Sequence, residues 1–74
     1  MGHIPALSGQ EVVKLFESFG WYLARQRGSH LIMVKEGEIV TLCVPNHKQI
    51  AKGTLRSLVR SAKLSMDQFL AART

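Results

Sequence analysis

Residues 24–35 read ARQRGSHLIMVK. A strand-like run carrying Arg25 and Arg27 meets a Gly28-Ser29 turn, and His30 opens a second apolar run. Two such runs joined across a short glycine-containing turn predict a β-hairpin. Outward from it, WYLARQ (21–26), HLIMVK (30–35) and EIVTLCV (38–44) are all rich in aromatic and β-branched residues, with RGS and EG between them. That pattern predicts a three-stranded antiparallel meander. Strand alternation places Trp21, Leu23 and Arg25 on one face, and sets His30, Ile32 and Val34 against Leu31, Met33 and Lys35. Both faces of the second strand are partly apolar, so helices covering one face would leave an apolar patch on the other.

Helices are expected on both sides of the meander in sequence. Ser8-Gly9-Gln10-Glu11 has the spacing of a capping box. Val12, Leu15, Phe16 and Phe19 then form one apolar stripe, and Gly20 suits a left-handed helix end. After Pro45, which lacks the N–H that a ladder needs, the basic loop PNHKQIAK leads into a second helix. Its stripe is Leu55, Leu58, Val59 and Ala62, and Thr54 is placed to cap it. Ser65-Met66-Asp67-Gln68 predicts a short last helix that adds Phe69 and Leu70 to the core. The order α-β-β-β-α-α gives an α+β fold of two layers, a three-stranded antiparallel sheet with helices on one face, over residues 1–74 as a single domain.

A chain of 74 residues buries about 60% of the surface its unfolded form exposes. Ten Lys and Arg against five Asp and Glu give a net charge of +5, which favours a polyanion or an acidic protein as partner. The lone Cys43 has no intramolecular disulfide partner and reads as a small buried strand residue. No Cys/His spacing resembles a metal site, and no small-molecule cofactor motif is present. The apolar runs fall short of the roughly 20 residues of a membrane span, and no signal pattern opens the chain, so a cytoplasmic location is expected.

Between Lys48 and Lys63 the chain carries Lys48, Lys52, Arg56, Arg60 and Lys63 with no acidic residue. Arg56, Arg60 and Lys63 recur at helical spacing, a row of positive charge suited to a phosphate backbone, although a solvated helix face is the plainer alternative. A lone histidine near a turn is more often a surface or packing residue than a catalyst. His30, however, follows two guanidinium groups that could hold a phosphate, and Gly28 and Ser29 could bring N–H groups and a hydroxyl to the same anion. Imidazole titrates near pH ~6.5 and so exchanges protons at neutral pH. These groups would suit metal-free cleavage of RNA, whose ribose 2′-hydroxyl is its own nucleophile. The second proton transfer would fall to water, His47 or a lysine; His47 reads first as a loop or supporting residue and is a candidate helper, and His3 has no assigned role.

The run LARQRGSHLIMVK followed by VPNHKQIAKGTLRSLVRSAKLSMDQFL resembles the HicA toxins of toxin–antitoxin pairs, and the IPALSGQEVVKLFESFGW opening extends the likeness over nearly the whole chain. The resemblance implies a double-stranded-RNA-binding-domain-like fold and mRNA cleavage that arrests translation. It implies that His30 is the residue on which cleavage depends, that no metal is needed, and that a HicB antitoxin covers the site. It assigns nothing to Arg25, Arg27, Ser29, Lys48, Lys52, Arg56 or Arg60, whose RNA or phosphate contacts rest on their chemistry alone. Two other readings compete. A double-stranded-RNA-binding-like module would bind without cutting, and a pure interaction subunit would use its charge to match an acidic protein.

Overall fold

The computed structural model describes residues 4–73, which excludes His3. Its elements are α1 (Gly9–Glu17), β1 (Tyr22–Arg27), β2 (His30–Val34), β3 (Leu42–Pro45), α2 (Lys52–Ser61) and α3 (Met66–Ala71). The α-β-β-β-α-α order is the expected one.

Local hydrogen bonding sets most of the helix ends. At α1 the Glu11 N–H donates to Ser8 Oγ at 3.1 Å, and the Ser8 N–H donates to Glu11 Oε1 at 2.8 Å. Two orphan donors of the first turn are thereby satisfied. The same reciprocal pair joins Ser65 and Gln68 at α3. Past α1, Gly20 takes φ +93°, and the Gly20 and Trp21 N–H groups close the helix onto the carbonyls of Glu17 and Phe16.

The second helix departs from expectation at both ends. Its N-cap is Ala51, with no side-chain hydrogen bond, so Thr54 lies inside the first turn and is not the cap. At the far end Lys63 lies outside the helix with φ +64°, and the Lys63 and Leu64 N–H groups bond to the Arg60 and Val59 carbonyls. This is the closing pattern seen at Gly20, here built on a lysine. Lys63 therefore leaves the line of Arg56 and Arg60, and its Nζ pairs with Glu38 at 3.3 Å.

The sheet is antiparallel throughout, with β2 central in the order β1-β2-β3. The third strand is shorter than its composition suggests. Residues 35–38 form a turn closed by the Glu38 N–H on the Lys35 carbonyl at 3.0 Å, and pairing starts only at Leu42. Ile39, read as strand from its β-branching, is 98% exposed.

Leu31 and Met33 of β2 and Leu42 and Val44 of β3 meet Val12, Phe16, Leu55, Val59 and Phe69 in one core, so the helices cover a single face of the sheet. Phe16 sits at its centre, 4.7 Å from Phe69 and 6.4 Å, edge-on, from Trp21 between ring centroids. Gly9 is buried against the loop after β3. A Cβ there would overlap the Pro45 carbonyl oxygen and come within 3.0 Å of Asn46 Cα. The Gly9 N–H donates to the His47 carbonyl at 2.9 Å, so glycine lets the start of α1 lock that loop.

Candidate active site

Directly paired residues of neighbouring strands project to the same face, so the register defines what lies on the side the helices leave uncovered. Arg27, His30 and Pro45 form the first row, and Arg25, Ile32 and Cys43 the second. Tyr22 and Val34 form the third. The opposite partners, Leu31 with Val44 and Met33 with Leu42, are buried under the helices.

Arg25 reaches this face through an irregularity in β1. The pairing shifts between Leu23 and Arg25, leaving Ala24 as an extra residue, which is the geometry of a β-bulge. Strict alternation would have put Arg25 with Trp21 and Leu23. The bulge instead flips the strand after Leu23, so Arg25 and Arg27 both flank the His30 side of β2. All of β1, an edge strand of the sheet, is solvent-exposed.

The Gly28-Ser29 turn closes the hairpin on the Arg27–His30 pair. Gly28 has φ +57° while Ser29 has none of the positive-φ geometry, the pattern of a type II′ turn with glycine at its first central position. Both turn carbonyls are engaged. Gly28 O accepts from Gln26 Nε2 at 3.0 Å, and Ser29 O accepts from the Asn46 N–H at 2.7 Å. With its carbonyls held, the turn is fixed where His30 begins.

His30, Arg25, Arg27 and Ser29 are all exposed. His30, Arg27, Gly28, Ile32 and Cys43 line an open concavity of about 500 Å³. Among the described residues no carboxylate pairs with either arginine, so their charge is available to an anion. Cys43 corrects the expectation of a buried strand residue. It pairs with Ile32 on the uncovered face and is exposed, whereas its neighbours Leu42 and Val44 point into the core. Among the described residues, no group of three His, Cys, Asp or Glu side chains converges as a metal site would require.

The other basic residues lie elsewhere. Leu55, Leu58 and Val59 turn α2 toward the core, and Arg56 and Arg60 are exposed beside a groove also lined by Val59, Leu64 and Met66. That groove shares no residue with the His30 concavity. Lys52 opens α2, and Lys48 lies in the loop after Pro45; both are exposed. His47, in the same loop, is exposed and tied through its carbonyl to Gly9. Tyr22 was not expected on the His30 face. Its separation from Arg25 is odd, and alternation assigns an odd separation to opposite faces unless a bulge intervenes. An apolar patch built on Ile32 and Val34 was expected on this side, but Ile32 is 5% exposed and Val34 half-buried, so Tyr22, 55% exposed, is the large apolar side chain this face presents.

Residues 9–64 match the family described as "HicA toxin of bacterial toxin-antitoxin". Among solved structures, a toxin–antitoxin complex from Streptococcus pneumoniae contains a similar chain. The two are 34% identical with a TM-score of 0.71, over 78% of this chain and 98% of that one. No curated protein matches the chain.

Proposed function

The chain belongs to the HicA toxin family of toxin–antitoxin systems, and from that premise we propose that it is an endoribonuclease that cuts mRNA without a metal ion and so arrests translation. The observation that carries this reading is the shared face. One exposed imidazole, His30, stands in register between Arg27 and Pro45, with Arg25 one row along.

In this reaction the ribose 2′-oxygen attacks the adjacent phosphorus, the bond to the 5′-oxygen breaks, and a cyclic phosphate and a free 5′-hydroxyl result. A proton leaves the 2′-hydroxyl and a proton reaches the departing 5′-oxygen. His30 performs one of these transfers as general base or acid, which is worth about 10²–10⁴-fold. The other falls to water, to His47 or to a lysine. Arg25 and Arg27 hold the phosphate and stabilise the charge that builds on its oxygens. Ser29 adds a hydroxyl at the turn. Lys48, Lys52, Arg56 and Arg60 bind more distant phosphates, positioning the RNA without reading its sequence.

The uncovered face carries one exposed aromatic side chain, Tyr22, beside the cations, a combination that suits occlusion by a protein. Its partner in this reading is a HicB-type antitoxin seated over His30. The cytoplasm, where mRNA is translated, is the proposed location. Among the described residues no helix is long and apolar enough to cross a membrane.

The test is His30→Ala with RNA cleavage, RNA affinity and melting temperature measured side by side. Cleavage should fall by about 10²–10⁴-fold, with affinity and stability nearly unchanged because the ring is exposed. Wild-type protein that binds RNA and leaves it intact would make the chain a binding module. A His30→Ala variant that still cuts at the wild-type rate would remove His30 from the mechanism.

A further inference from the structure

Tyr22 is the exposed aromatic of this fold. Among the described residues the other aromatic side chains, Phe16, Phe19, Trp21 and Phe69, are buried or partly buried in or against the core. An isolated exposed tyrosine would need no explanation. Its placement does, because the bulge at Ala24 puts Tyr22 on the face that also carries Arg25, Arg27 and His30. Tyr22 pairs with Val34, four residues along β2 from His30, a separation of about 13 Å at the rise of a strand. Arg25, opposite Ile32, lies at the midpoint. The face thus presents in line an imidazole with a guanidinium, a second guanidinium, and an aromatic ring, and its paired residues include no carboxylate.

We propose that this face binds RNA as an extended single strand, with phosphates on Arg27 and Arg25 beside His30 and a base beyond them stacked on the ring of Tyr22. The proposal rests on the reading of the face as an RNA-cleaving site and specifies the form of its substrate. Single strands are held by cationic tracks interleaved with aromatic platforms, since every base offers a π-face. A duplex keeps its bases stacked internally and leaves the ring nothing to stack on. A protein occupant would also cover Tyr22. The two unpaired arginines in line with the ring favour the nucleic acid.

The experiment measures binding of a short fluorescent single-stranded oligoribonucleotide by anisotropy, in a His30→Ala background so that the strand stays intact. Tyr22→Ala and Tyr22→Leu should each weaken binding by roughly tenfold, and Tyr22→Phe by less than about twofold, because the ring face does the stacking. The leucine variant keeps the apolar bulk on the strand and so guards against a folding artefact in the alanine variant. Binding of a duplex of the same sequence should not respond to any of the three. The proposal is overturned if Tyr22→Ala and Tyr22→Leu bind the single strand as their parent does, or if duplex affinity falls in parallel. Loss of antitoxin binding with RNA affinity intact would likewise overturn it and make Tyr22 a protein contact. Cleavage by the His30-containing protein is scored separately. Cleavage without Tyr22-dependent binding removes the stacking site alone, and Tyr22-dependent binding without cleavage removes the nuclease reading alone.

Discussion

The N–H of Asn46 donates to the carbonyl of Ser29 at 2.7 Å, joining the turn that precedes His30 to the loop that carries His47. The bond fastens the tip of the β1–β2 hairpin to the end of β3, beyond the last paired residue, Pro45. Asn46→Pro deletes the donor, whereas Asn46→Ala keeps it and loses only the exposed side-chain bond from Gln10. The proline variant should lose about 1 kcal/mol of stability, the net worth of one hydrogen bond, and its RNA cleavage should fall further than that loss of folded protein explains. Thermal melts paired with cleavage rates check this. Equal activity in the two variants would show that His30 does not need the tether.

Arg25 and Arg27 should behave differently from Arg56 and Arg60. The first pair flanks His30 on the sheet, and the second lies beside a separate groove between α2 and α3. Replacing Arg25 or Arg27 with Gln should lower the slope of log affinity against log salt by about 0.7 for a single-stranded oligonucleotide, one phosphate contact each, and should slow cleavage of the bound strand. Arg56→Gln and Arg60→Gln should leave short oligonucleotides unaffected and weaken only long RNAs that reach the helix layer. The measurement is a salt titration repeated across a length series. Sensitivity of short strands to Arg56 or Arg60 would place the two surfaces on one path.

What the sequence disclosed follows from the range of the interactions involved. The capping boxes at Ser8 and Ser65 and the positive φ of Gly20 are local, and each was legible from spacing. So was the hairpin around Gly28-Ser29, whereas the exposure of His30 at the strand start was left open by the sequence and is given by the structure. The bulge at Ala24 was hidden because alternation carries no mark of an extra residue. The faces of Arg25 and Tyr22 were misread or missed as a result. Cys43 looked buried because its neighbours Leu42 and Val44 are, although pairing with Ile32 turns it outward. The start of α2 is equally non-local. Ala51 caps with no side-chain bond, and the preceding loop is held by the Ile50 N–H on the Leu7 carbonyl at 2.8 Å.

Gly9 and Gly53 both lie in first helical turns, and methylating them should have opposite effects. A Cβ at Gly9 would strike the Pro45 carbonyl, a backbone atom that cannot swing aside, while a Cβ at Gly53 meets nothing within 4 Å. Gly9→Ala should therefore destabilise by about 1–3 kcal/mol through overpacking and disturb the loop bearing His47. Gly53→Ala should stabilise by about 0.4–1 kcal/mol by restricting the unfolded chain. Denaturant titrations followed by the fluorescence of buried Trp21 measure both. A tolerated Gly9→Ala would mean that α1 and the loop can separate at little cost.

Lys63 occupies the left-handed position that closes α2, with φ +64°, and that conformation costs a side-chain-bearing residue about 1–2 kcal/mol. Glycine removes the clash but loses about 0.5–1 kcal/mol to its freer unfolded chain. Substitution also breaks the Lys63–Glu38 ion pair, in which the lysine is 73% exposed, a pair of the kind worth about 0–1 kcal/mol. At the middle of these ranges the balance favours Lys63→Gly by about 0.25 kcal/mol, a rise of roughly 1–2 °C in Tm for a domain of this size. Lys63→Ala keeps the strained backbone and loses the pair, so its Tm should not rise. The decisive comparison is the two melts at low and high salt. A glycine variant less stable than wild type at low salt, with the deficit vanishing at high salt, would show that the tie between the end of α2 and the β2–β3 turn outweighs backbone strain.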